Sequence, residues 1–288
     1  MAVGNKRKKK AITPKFVDIS ETDESKNILL YGDSGVGKTV WSGDEDGVAF
    51  ISVENGTISA KNQGSTAKVW PVKTWEDLED AYTWFMQNED HGFNVIIIDS
   101  LTKMQDLALR AILDDAVAEN GSRDLDIPAI QDHQKWQNMF KRFVLAFCDL
   151  PVDTVFTALA RKESDEEGED FLTPDIQGKG YQISQWVCGQ MSAYGYMKMM
   201  RRIKKDASGD PVLDGRGKKV VENFRRIIWT DTGVVRGKDR YDVLAPYTDD
   251  KGLREIRAMI EAGPKKQTAP VKRAAAARRR RGTTRKAS

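Results

Sequence analysis

Short apolar runs alternate with longer segments of helical period along the first 160 residues of the chain. Ile28, Leu29, Leu30 and Tyr31 form one such run, residues 47–53 a second, 93–98 a third and 153–159 a fourth. Val95, Ile96, Ile97 and Ile98 are all β-branched, which marks a central strand. Residues 69–72 read as a short edge strand, because Pro71 has no amide hydrogen for an inner ladder. Between these runs, residues 77–88 place Leu78, Ala81, Tyr82 and Phe85 on one helical face. Residues 101–119 read as helix with Gly121 as its cap. Residues 130–148 do so with Trp136, Met139, Phe140, Phe143, Val144 and Phe147 on the buried side. Strands that alternate with helices predict an α/β fold with a mainly parallel sheet covered on both faces.

The pattern changes after residue 160. Residues 162–170 read as an acidic, glycine-containing loop, and 173–180 as a second loop ending Gly178-Lys179-Gly180. A short helix is expected over 181–190. Residues 191–203 and 222–230 read as the two strands of a late β-hairpin, joined by a long loop rich in Gly, Asp and Lys over 204–219. A last helix covers 252–262, before Gly263-Pro264.

Composition adds a polarity that the pattern alone hides. The 288 residues are 40% hydrophobic and 31% charged, enough to fill a core, and the net charge is only +3. Yet residues 1–15 hold six basic residues and no acid, and residues 264–288 hold ten and no acid. The middle of the chain therefore sets 30 basic residues against 43 acids. The expected organisation is a basic N-terminal tail and lead-in over 1–26, one domain over 27–262 and a disordered basic tail over 263–288. Lys6, Arg7, Lys8, Lys9 and Lys10, with Arg278, Arg279, Arg280 and Arg281, are candidate nucleic-acid contacts that offer charge without base stacking. No apolar run approaches the ~20 residues that span a bilayer, so no membrane partner is expected. The basic N-terminus lacks the apolar stretch of a signal peptide. Cys148 and Cys188 fit no zinc spacing, and His91 and His133 have no partner at ligand spacing. A reducing, cytoplasmic setting fits these features.

The chemistry centres on Gly32, Asp33, Ser34, Gly35, Val36, Gly37, Lys38 and Thr39, which match the phosphate-binding pattern G-x-x-x-x-G-K-[ST]. An apolar strand precedes the motif and a helix can start at Thr39, which is the context it needs. Glycines let successive N–H groups turn toward phosphate oxygens, and the helix N-terminus adds positive potential. Lys38 would reach the β- and γ-phosphates of ATP, and Thr39 would ligate Mg²⁺. Asp99, at the end of the third run, is the candidate second acid at the metal. Many AAA+ ATPases follow that acid with a glutamate, but residue 100 is serine. Glu54, at the end of the second strand, is the candidate general base instead. Lys238 and Arg240 form a Lys-x-Arg element whose alternate positions share one face of an extended segment.

Together these residues resemble the phage-encoded RecA-like P-loop ATPases of the single-strand-annealing and recombination type. The resemblance spans about residues 27–245. It rests on residues 32–39, Glu54-Asn55-Gly56, Asp99-Ser100-Leu101-Thr102, residues 150–158, Gly178-Lys179 and Gly237-Lys238-Asp239-Arg240. It implies ATP-dependent binding of single-stranded DNA, often beside a phage single-strand-binding protein, in the cytoplasm of the host. It also implies that Lys238 and Arg240 act as a finger on a neighbouring subunit's nucleotide, which requires a homo-oligomer, either a ring or a filament. Lys179, between two glycines, falls where such proteins carry DNA-binding loops. One position departs from the pattern. Leu159 stands where many relatives carry a polar γ-phosphate sensor, and Thr157, Arg161 and Lys162 are the nearest substitutes. A nucleotide-gated binding or assembly factor with little turnover, or an AAA+ helicase loader, is the alternative.

Overall fold

The computed structural model describes residue 18, residues 25–178 and residues 182–264. The proposed DNA contacts at Lys179, in residues 6–10 and in residues 278–281 lie outside the described residues. Strand β1 (Asn27–Gly32) carries the phosphate motif at its C-terminal end and lies between β5 (Asp153–Ser164) and β7 (Ala193–Ile203), parallel to both. Beyond β5 follow β4 (Val95–Asp99), β2 (Val48–Ser52) and β3 (Lys68–Pro71), all parallel. Beyond β7 lie β8 (Val221–Ile228) and β10 (Tyr247–Asp249), both antiparallel to their neighbours. The full order is β10-β8-β7-β1-β5-β4-β2-β3, so Pro71 does sit on the edge strand. Every residue of β2 and β4 is buried, as expected of parallel strands covered on both faces.

One face of the sheet packs against α3 (Trp75–Gln87), α4 (Leu101–Glu119), α5 (Ile130–Cys148) and α6 (Gln182–Gln190). The other packs against α1 (Lys38–Ser42) and α7 (Leu253–Ala262), through Trp41, Leu253, Ile256 and Ile260. A further short helix, α2 (Ile58–Asn62), follows β2. Helices α4 and α5 have the bounds that their apolar period predicts. Truncating one of the buried aromatics of α5, such as Phe140 or Phe147, is of the kind that costs ~3–5 kcal/mol. Helix α3 begins two residues earlier than expected, because Thr74 and Asp77 form a reciprocal capping box.

Three expectations are corrected. Residues 162–164, 170 and 173–174 are not loop. Strand β5 continues to Ser164 and turns back into the antiparallel β6 (Asp170–Pro174), leaving only residues 165–169 as the turn. The end of β5 is a run of four polar residues, Arg161 to Ser164, of which Lys162 faces Leu172 and Glu163 faces Phe171, so no apolar alternation along β5 announces the hairpin. Gly121 does not take a left-handed cap. Helix α4 ends at Asn120 in extended conformation. The 204–219 segment is not one open loop but two tight turns pinned by bridges between Lys205 and Pro211 and between Leu213 and Lys219. The last short strand, β9 (Lys238–Asp239), pairs with the beginning of β7. At the N-terminal side the fold is already tied down at Ser25 and Lys26, which bond Leu150 and Asp153.

Candidate nucleotide site

The turn from β1 into α1 is sterically specific. Gly37 has φ 102°, a left-handed conformation that side chains rarely adopt. Gly32 lies against β7 so closely that a Cβ would collide with the Met197 carbonyl oxygen. Lys38 folds back over the loop, and its Nζ donates to the carbonyls of Gly32 (2.8 Å) and Asp33 (2.9 Å). Burial pushes the Lys38 ammonium below the usual lysine range, while Asp99, Glu54 and Asp33 oppose that shift.

Asp99 is the centre of a small network at the C-terminal ends of the strands. Thr39 Oγ1 donates to its Oδ2 at 2.8 Å, and Thr157 Oγ1, on the neighbouring β5, donates to its Oδ1 at 2.5 Å. Burial raises the Asp99 pKa, although both hydroxyls favour the ionised form. A hydroxyl and a carboxylate in contact suit Mg²⁺, which takes one or two protein oxygens and completes its shell with phosphate and water. Among the described residues no group of three or more His, Cys, Asp or Glu forms a metal cluster.

Glu54 follows β2 and faces the same space. Its Oε1 accepts from Ser100 Oγ at 2.5 Å, and its carbonyl oxygen accepts from Ser52 Oγ. Residue 100 thus orients the acid of another strand rather than supplying one. The turn after Glu54 closes over Thr39 and Asp99. A Cβ on Gly56 would lie 3.5 Å from Thr39 Oγ1 and 3.7 Å from Asp99 Oδ2. The cavity enclosed by these parts has a volume of about 300 Å³, and Lys38, Thr39, Glu54, Asp99, Leu159 and Arg225 all line it. A larger cavity of about 480 Å³ shares Val40 and Arg225 with it and extends past α1.

Arg225 is the residue that the sequence does not announce. It reaches over the loop from β8, and its Nε donates to the Val36 carbonyl at 3.3 Å. Its guanidinium covers Gly37, where a Cβ would meet the Nε at 2.5 Å. Among the described residues it forms no ion pair with a carboxylate, unlike the neighbouring Arg226, which is clamped by Asp249. No motif marks Arg225. The signal is tertiary, set when the β7–β8 ribbon packs beside β1.

Of the suggested sensor substitutes, Thr157 is held by Asp99, Arg161 pairs with Glu163, and Lys162 pairs with Asp170. Leu159 lines the cavity with no polar atom on its side chain. Lys238 and Arg240 are not brought to the phosphate loop of their own chain. Lys238 Nζ donates to the Cys188 carbonyl at 2.8 Å, and Arg240 Nη2 donates to the Gly189 carbonyl at 3.3 Å. Both cations therefore rest on the last turn of α6, as alternate residues on one face.

The strand–loop–helix turn, with Lys38, Thr39 and a buried aspartate on a nearby strand, defines a P-loop nucleoside triphosphatase. The chain belongs to the AAA-domain family, whose match covers residues 24–241. A search of curated proteins returned no match. Among solved structures, the chain is similar to the RadB recombinase at 13% identity, with 75% of this chain and 92% of that one covered and a TM-score of 0.35. It is also similar to the flagellar accessory protein FlaH of Methanocaldococcus jannaschii at 12% identity, with 75% and 83% covered and a TM-score of 0.31. Likenesses of this size do not bear on what the chain does. No helix among the described residues is long and apolar enough to cross a membrane.

Proposed function

We propose that the chain is a RecA-like, Mg²⁺-dependent ATPase that binds single-stranded DNA in phage recombination or annealing, in the host cytoplasm. The observation that carries the ATPase reading is Glu54 held by Ser100 across the cavity from Lys38, Thr39 and Asp99. In that arrangement the loop amides and Lys38 would hold the phosphates, and Thr39 and Asp99 would hold the metal. Magnesium would neutralise charge on the β- and γ-phosphate oxygens. Glu54 accepts the proton of the attacking water, oriented by the Ser100 hydroxyl. Arg225, lacking a carboxylate partner, supplies a second cation within the chain beside the transferred phosphate.

Lys238 and Arg240 add charge only to a neighbouring subunit's nucleotide, so the active unit is a homo-oligomer, as a ring or filament. The ordered set of motifs supports the DNA reading, and a phage single-strand-binding protein is the matching partner. Leu159 favours a second reading, an assembly factor that ATP gates with little turnover, because no polar side chain at that position reports the γ-phosphate. Glu54→Gln separates the two. Under the ATPase reading, turnover falls by about 10²–10⁴-fold while nucleotide affinity stays, as for loss of a general base. Turnover that is already minimal and unchanged by the substitution supports the gated factor.

A further inference from the structure

The β7–β8 ribbon continues beyond the sheet. Strand β1 pairs with β7 only as far as Met197, and β10 pairs with β8 only from Arg226 onward. Past those points the two strands pair with each other alone, from Met199 opposite Arg225 out to Ile203 opposite Val221. The tip is built rather than loose. Val212 N–H donates to the Lys204 carbonyl, Val220 N–H to the Val212 carbonyl, and Lys204 N–H to the Val220 carbonyl.

Positive charge prevails on this arm, with eight basic residues against four acids over residues 199–225. Arg201, Lys204, Lys205, Arg216, Lys218 and Lys219 are exposed, and none forms an ion pair among the described residues. Of the three exposed acids of the tip, Asp210 has no cation partner among the described residues, and the other two bind turn backbone. Asp206 Oδ1 accepts the N–H groups of Ser208 and Asp210, and Asp214 Oδ1 accepts those of Arg216 and Lys218. Glu222 is bound to Arg202 on the opposite face of the ribbon. Cross-strand register puts Met199, Arg225, Arg201, Asn223, Ile203 and Val221 on one face, which carries no acid. Met199, Ile203 and Val221 there are 46%, 41% and 56% exposed. The inner end of this face is Arg225, over the phosphate loop.

We infer that this arm is a binding surface for the phosphate backbone of single-stranded nucleic acid, and that it links the bound strand directly to the nucleotide site. Eight basic residues against four acids over residues 199–225 give the arm an excess of positive charge that matches a polyanion, and the exposed aliphatic side chains beside Arg201 and Arg225 give unstacked bases an apolar surface. No aromatic lies on that face, so recognition is indifferent to sequence. The assignment rests on the DNA reading given above but places the strand away from the basic tails.

The test is binding of a labelled oligo-thymidylate to the full chain, followed by fluorescence anisotropy across a salt series. The variant is Lys204→Gln, Lys205→Gln, Lys218→Gln and Lys219→Gln together. A control removes four cations elsewhere, as Lys61→Gln, Lys68→Gln, Lys73→Gln and Lys135→Gln. The arm variant is expected to lose about tenfold in affinity. The slope of log K against log salt should flatten by about 0.7 for each phosphate that a removed lysine had neutralised, up to about 3. The control should stay near the unaltered chain. Equal binding by the arm variant and the unaltered chain overturns the inference, as does an equal loss in the control. A change in oligomeric state without a change in DNA affinity also overturns it and gives the face to a second copy. No binding by the unaltered chain contradicts the DNA reading itself, and the arm assignment with it.

Discussion

The two ends of the central strands treat their cations differently. At the C-terminal end, Lys38 and Arg225 rest only on loop carbonyls, beside the carboxylates of Glu54 and Asp99. At the other end, Lys238 and Arg240 sit on the carbonyls that close α6, where the helix carries its partial negative charge. Register makes the separation concrete. Lys238 pairs with Tyr194, whereas Gly32 pairs with Met197, three residues further along β7, ~10 Å. The first pair of cations can exchange carbonyls for phosphates without leaving its place. Under the proposed function, the second would meet a phosphate on another molecule. The same residue types thus sit in two places, one pair beside the phosphate loop and the other on the last turn of α6, and the proposed function assigns the second pair to a site in trans.

Removing the distant cations breaks this comparison most severely. Lys238→Ala with Arg240→Ala should lower turnover by about 10³-fold, the scale of a lost cationic finger, with nucleotide affinity nearly intact. Mixing that variant with a Glu54→Gln chain should restore part of the activity, because each supplies what the other lacks. Steady-state kinetics on the mixture checks it, and equal activity in the double variant and the unaltered chain would remove the finger. Arg225→Ala acts within one chain, so no mixing should rescue it. Its expected loss is about 10²-fold in kcat, the effect of one electrostatic donor.

Asp99 sharpens the contrast through stability. Burial raises its folded-state pKa, so the ionised carboxylate opposes folding. Its favourable contribution is complete below the unfolded value of ~3.9 and is lost as pH rises through the raised folded value. Asp99→Asn removes that penalty at neutral pH and can keep contacts to Thr39 and Thr157. A melting scan at neutral pH should therefore show a higher Tm for the variant than for the unaltered chain. Mg²⁺-dependent turnover should disappear. The smallest effect lies at the far end. Burial pushes the Cys188 and Cys148 thiols up to about 12, so a thiol reagent at pH 8 should label neither in the folded chain.

The parts of this molecule that are legible in the sequence are those with a local signal. Apolar runs mark β1, β2 and β4, helical period marks α4 and α5, and fixed spacing marks the phosphate loop. Glu54 and Asp99 can be nominated because strand ends in a parallel sheet converge. The β5–β6 hairpin is hidden because the β5 half of its outer rungs, Arg161 to Ser164, is polar throughout and shows no apolar alternation. Arg225 is hidden for another reason. Nothing near it in sequence distinguishes it from Arg226, and only the packing of β8 shows that Arg226 meets Asp249 while Arg225 meets the loop.

ATP hydrolysis by the full chain, with and without single-stranded DNA at low and moderate salt, tests the proposed function most directly. That function predicts Mg²⁺-dependent turnover that rises on adding the strand, with the rise weakening as salt increases. Tight ATP binding with no turnover under any of these conditions would contradict it.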